Sequence, residues 1–196
     1  MSLRHNEVCD ITAKMLSEVC KDVRTEPLLC ELTNENFAHT SANLSKEARL
    51  DISALGFWIP GQRVFCDVRV FDPNALRYRE TEIKRCYEKN EQEKKRSYNE
   101  RVLEVEHGSF TPLVFATHGG MGRECRRFYQ RLSEMIADKR DIAPSVATTF
   151  VRTKISFSLL RSTLLCLRGS RSIRRNIDMD VDISLTNSLS EIRDEY

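Results

Sequence analysis

The chain has 196 residues, 40% of them hydrophobic and 31% charged, with a formal net charge of +2. That length suits one core with extensions better than two separate cores. The start, MSLRHNEV, has no apolar leader region and no apolar run approaches the roughly 18 residues that span a bilayer, so neither secretion nor membrane insertion is expected.

Val8, Ile11, Thr12, Met15, Leu16 and Val19 recur at helical spacing and predict an amphipathic helix over residues 4–22. EPLLCEL (26–32) reads as a short strand, and the polar stretch 33–47 as a loop. LDISA (50–54) and VFCDVRVF (64–71) alternate as strands, joined through Gly56, Pro60 and Gly61. Pro73-Asn74 closes the second of them.

From about residue 79 to 106 the chain is dense in Glu, Lys and Arg without Gly or Pro, the pattern of a long helix laced with charge pairs. Gly108 breaks it, FTPLVFA (110–116) reads as a strand, and Gly119-Gly120 ends that strand. GGMG after the strand lacks the Lys-Ser/Thr of a nucleotide-binding loop and reads as a turn. Helices over 122–139 and 145–167 follow, separated by DIAP. The predicted fold is α/β.

Two aspartates stand out because they occupy strand positions where a core hairpin would carry Val or Thr. Hard divalent cations bind through carboxylate oxygens, and phosphodiester hydrolysis uses such an ion to activate water and offset charge. Asp51 and Asp67 suit one shared Mg²⁺ or Mn²⁺ if their strands pair with both carboxylates on one face. Arg69 shares the face of Asp67, whereas Cys66, Val68 and Val70 point the other way. An ion pair between Asp67 and Arg69 on an exposed face is the competing reading.

Along the long helix, Ile83, Tyr87, Asn90, Lys94, Tyr98, Val102 and Val105 form a mainly apolar stripe that should face the sheet. A lysine inside such a stripe is costly unless its ammonium meets an acid or reaches out to solvent. Asp51 and Asp67 are the acids that Lys94 would meet. Lys95 and Arg96 lie off the stripe, toward solvent or a phosphate backbone.

Charge is unevenly distributed. Residues 123–175 hold thirteen Lys/Arg against four Asp/Glu, and residues 176–196 hold one Arg against six acids. Arg161, Arg168 and Arg171 belong to a run without acids that suits either a DNA backbone or a solvated surface. Val151, Ile155, Leu159, Ser162 and Cys166 form a packing stripe within it, leaving Phe157, Leu160 and Leu164 outside. The acidic tail reads as disordered. Seven scattered cysteines without a C-x-x-C pair suit reduced thiols inside the cell, mostly as small core residues. His5 reads as a surface or capping residue.

The order helix, strand, acidic strand, D-x-basic strand, helix, strand resembles the core of the PD-(D/E)xK nucleases, the restriction-endonuclease-like fold. More closely, LDIS, VFCDVRVF and EKKRSY are similar to the C-terminal restriction-like endonuclease segment of non-LTR retrotransposon proteins, where a Pro-Asp, an Asp-Val strand and an E-K-x-x-x-Y helix follow one another. RHNEV resembles the Arg-His stretch after the zinc-knuckle cysteines of those proteins. The resemblance covers about residues 4–140.

It implies an α-β-β-β-α-β core with a mixed central sheet over 1–140, to which the residues themselves add a basic helix over 141–175 packed on that core and the tail over 176–196. It implies a metal-dependent endonuclease that nicks DNA to leave a 5′-phosphate and a 3′-hydroxyl. Asp51 and Asp67 would bind the metal with the Val68 carbonyl, assisted by Glu7. Lys94 would orient water or steady the phosphate, and Tyr98 would reach a phosphate oxygen. Glu7 as a plain helix-start acid and Tyr98 as a core aromatic are the alternatives.

Leu50 stands where the family has proline, and Arg69 where it has a D-x-K lysine, with Lys94 on the helix position that the retrotransposon branch uses instead. Arginine stays charged and cannot act as a base, although it can hold a phosphate. The resemblance implies DNA and a reverse transcriptase domain as partners, and a nuclear location. A catalytically decayed, nucleic-acid-binding remnant is the alternative function.

Overall fold

A computed structural model of the chain describes residues 3–33 and 35–168. The expected acidic tail and Arg171 lie outside the described residues, and so does the side chain of Arg168.

The chain forms an α/β fold with a four-stranded mixed sheet flanked by helices. In order, the elements are α1 (Leu3–Val19), β1 (Lys21–Thr25), β2 (Ile52–Leu55), β3 (Arg63–Phe71), α2 (Ile83–Glu104), β4 (Ser109–Ala116), α3 (Arg123–Arg140) and α4 (Pro144–Arg168). The sheet order is β1-β2-β3-β4. β1, β2 and β3 pair antiparallel, and β4 pairs parallel to β3, with α2 as the crossover that a parallel pair requires.

The strand pleat sorts the core into two sides. Ile52, Ala54, Val64, Cys66, Val68, Leu113 and Phe115 share one apolar cluster with residues of α1, α3 and α4. Phe65 and Phe110 meet Val102 of α2 on the other side, and Phe71 and Val114 meet Cys86. Asp67 has the parity of Phe65 and so belongs to the side covered by α2. α4 joins the first cluster through Ala147, Val151, Ile155 and Leu159, while Phe157, Leu160 and Leu164 remain exposed.

Three sequence expectations need correction. The helix predicted to residue 22 stops at Val19, and the strand after it is KDVRT rather than EPLLCEL, which makes only an isolated bridge from Leu28 to Arg49. β1 is an edge strand, largely exposed on both sides, so it shows no apolar alternation and its charges protect the edge. On α2, Ile83 is exposed, and the buried residues are Cys86, Asn90, Glu91, Arg101 and Val102. The helix therefore turns slightly away from the stripe read from sequence.

Pro112 sits in β4, where it cannot donate to a ladder. β4 is the outer strand of the sheet, so the missing donor faces no strand partner.

Candidate functional site

The last ladder pair between β2 and β3 joins Ile52 to Cys66. Just before β2, the Asp51 amide donates to the Cys66 carbonyl at 3.1 Å, so Asp51 sits in the bend that opens the strand rather than on the strand expected from sequence, near enough for its charge to act on Asp67. Both aspartates are only 6% exposed.

Each carboxylate has its own reason to be there. β3 runs on past the end of β2, and the Val68 amide finds its acceptor in Asp51 Oδ2 at 2.6 Å. The aspartate thus replaces a strand carbonyl where the ladder stops. Val68, expected to offer its carbonyl to a metal, enters the site through its N–H. Nε2 of His5, on the first turn of α1, lies 3.0 Å from the same Asp51 oxygen.

Asp67 is met by Lys94 of α2, whose Nζ lies 2.6 Å from Oδ2. The contact is a close ion pair to a buried carboxylate oxygen. Burial raises the Asp67 carboxyl above its ordinary range, with the Asp51 charge adding to the effect and Lys94 opposing it. His5 is raised from its ordinary value chiefly by its hydrogen bond to Asp51, against the opposing cost of burial. Two buried carboxylates are thereby held by one ammonium and one imidazole.

Other predicted residues fall elsewhere. Arg69 turns away from Asp67 and pairs with Glu93 at 3.0 Å, so the proposed Asp67–Arg69 ion pair does not form. Glu7 faces α4 and lies 3.6 Å from Arg161, two residues and more than half a helical turn past His5. The Tyr98 hydroxyl accepts from Asn43 Nδ2 at 3.3 Å, and its ring packs on Phe110. The ring still borders the site, with Lys94 Nζ 5.9 Å from its centroid. Lys95 is held by Glu124 at 2.9 Å, whereas Arg96 is exposed on the outer face of α2.

His5 and Cys9 were not read from sequence as site residues. Their spacing of four on a predicted helix was the available signal, since such residues share a face. What sequence could not supply was the fold of α1 over the end of β2, which brings that face to Asp51.

Compared with family models, curated proteins and solved structures, the chain finds no match in any of the three. No described helix is long and apolar enough to cross a membrane.

Proposed function

We propose that the chain is a metal-dependent DNA endonuclease of the PD-(D/E)xK kind, derived from the endonuclease segment of a retrotransposon protein. The observation that carries this reading is the meeting of Lys94 with Asp67 at 2.6 Å, near Asp51 in the bend that opens β2. An apolar core has no use for two neighbouring buried carboxylates and a lysine, and they are the groups that phosphodiester hydrolysis needs.

The residues fit a hard divalent ion. Asp51 lies near enough for its charge to act on Asp67, and the buried Asp67 Oδ2 meets only the Lys94 ammonium, which a divalent cation bound between the carboxylates would displace toward the phosphate. Asp51 and Asp67 would hold Mg²⁺ or Mn²⁺, which would supply an activated water and offset charge at the scissile phosphate. Lys94 opposes the upward push of burial on the Asp67 carboxyl and would offer its ammonium to the phosphate. His5 and the Val68 amide fix the orientation of Asp51. Arg96, with Arg161 beyond its loose pair with Glu7, would follow the DNA backbone in a salt-dependent manner. Action beside a reverse transcriptase domain in the nucleus belongs to the same reading.

The second reading, a decayed DNA-binding remnant, is favoured by Arg69, which stands in the family's lysine position and is engaged by Glu93. Nicking of supercoiled plasmid with Mg²⁺ or Mn²⁺ separates the two, with Asp67→Ala as the paired control and circular dichroism to verify its fold. Nicking by wild type alone supports the nuclease. Equal nicking by both variants identifies a contaminant, and DNA retention without nicking by either supports the remnant.

A further inference from the structure

We infer that His5, Cys9 and Asp51 form a binding site for a transition-metal ion of the zinc class, distinct in chemistry from the carboxylate pair. One ligand atom from each of the three lies within 4.8 Å of the others. His5 Nε2 is 3.0 Å from Asp51 Oδ2 and 3.9 Å from Cys9 Sγ. A tetrahedral ion with bonds of about 2.0 Å to nitrogen and oxygen and about 2.3 Å to sulfur spaces such ligands roughly 3.3–3.6 Å apart. The observed separations straddle that range, so small side-chain rotations would close the site.

The donor set selects the ion. A nitrogen, a sulfur and one carboxylate oxygen suit Zn²⁺ or Co²⁺, whereas Mg²⁺ takes oxygen ligands almost throughout. Charge balances as well. A divalent ion held by neutral imidazole, thiolate and carboxylate leaves the site neutral.

The ligands are already oriented. Asp51 is held by the Val68 amide, Cys9 is buried in the apolar cluster, and both His5 and Cys9 project from one face of α1. A cleft of about 140 Å³, which Asn6, Asp10 and Glu26 also line, opens on the trio and leaves room for a fourth ligand. Asp51 is common to this site and to the carboxylate pair, but the inference does not depend on nuclease activity.

The test is titration of the metal-free full chain with Co²⁺, followed by absorption spectroscopy without any DNA present. The expected result is the intense visible spectrum of tetrahedral cobalt with a near-ultraviolet thiolate band, both lost when Zn²⁺ is added. Cys9→Ser should remove the thiolate band, His5→Gln should weaken binding at least about tenfold, and Asp67→Ala should leave the spectrum unchanged. If Cys9→Ser does not fold, His5→Gln decides, because His5 lies near the surface. A weak octahedral spectrum in wild type, or a thiolate band unchanged in both variants, would overturn the site.

Discussion

Lys94 Nζ on α2 and Asp67 Oδ2 on β3 lie 2.6 Å apart, and the pair fastens the crossover helix to the sheet close to the buried Asp51. The ammonium is half-buried, so its partner is not fully screened by water. Without Lys94, two buried carboxylates would be balanced by His5 alone.

Lys94→Met is therefore expected to destabilise the fold. Loss of one partner from a fully buried pair costs about 3–5 kcal/mol, and exposed pairs contribute less than about 1 kcal/mol. A partly exposed lysine falls between, at about 1–3 kcal/mol. Urea denaturation at neutral pH and low salt measures it, and a change within the error of the midpoint would refute the role.

The two aspartates should respond differently to neutralisation. Asp51→Asn weakens a charge-assisted bond from Val68 N–H and the contact with His5, and should cost about 1–3 kcal/mol. Asp67→Asn ends the ion pair with Lys94 but also removes a carboxyl whose charged form burial disfavours, so its cost should be smaller than that of Asp51→Asn while any nicking is lost. Parallel melts of the two variants check the order, and a larger loss for Asp67→Asn would contradict it.

The positions that were legible in sequence are those where a residue violates its local pattern. Asp51 and Asp67 interrupt apolar alternation, and Lys94 interrupts an apolar stripe. Each of these anomalies lies at the site. Arg69 and Glu7 meet partners that sequence did not point to, for a different reason. Sheet parity and helical phase say which face a residue occupies, but not which neighbour reaches it first, and Glu93 and Arg161 from other elements did so. β1 was missed because an exposed edge strand has no apolar period to read.

The stability of the α2–α3 contact should depend on pH through Glu91. Its Oε1 accepts from the Glu124 amide at 3.0 Å at the start of α3. Burial raises its carboxyl above the ordinary 4.5, while the Glu124 amide, Lys95 and Arg126 oppose the rise and the Glu124 charge adds to it. The folded chain thus binds this proton more tightly than the unfolded chain. That contribution is fully present below pH 4.5 and is lost as pH rises through the higher folded value. Relative to Glu91→Gln, wild type should lose stability from pH 4.5 upward and then level off. Thermal melts across that range measure the difference, and a difference that does not vary with pH would disprove the assignment.

Arg101 is the largest fully buried side chain, and no apolar pattern announces it. Its guanidinium donates to the carbonyls of Asn43 at 2.7 Å, Ser45 at 2.9 Å and Cys30 at 2.9 Å. The segment after β1 makes few ladder bonds of its own, so these carbonyls take their donors from α2. Glu106 works from the same end of that helix, accepting from the Cys30 amide at 2.6 Å. Arg101→Met keeps most of the volume but leaves three carbonyls without this donor, and should cost about 3–5 kcal/mol. Arg101→Lys should recover only part of that, because an ammonium on a single stem cannot fork between carbonyls from separate stretches of chain. Limited proteolysis should cut both variants first between residues 30 and 45, well before the sheet. A loss below about 1 kcal/mol in Arg101→Met, or first cleavage elsewhere, would show that the loop is held by other contacts.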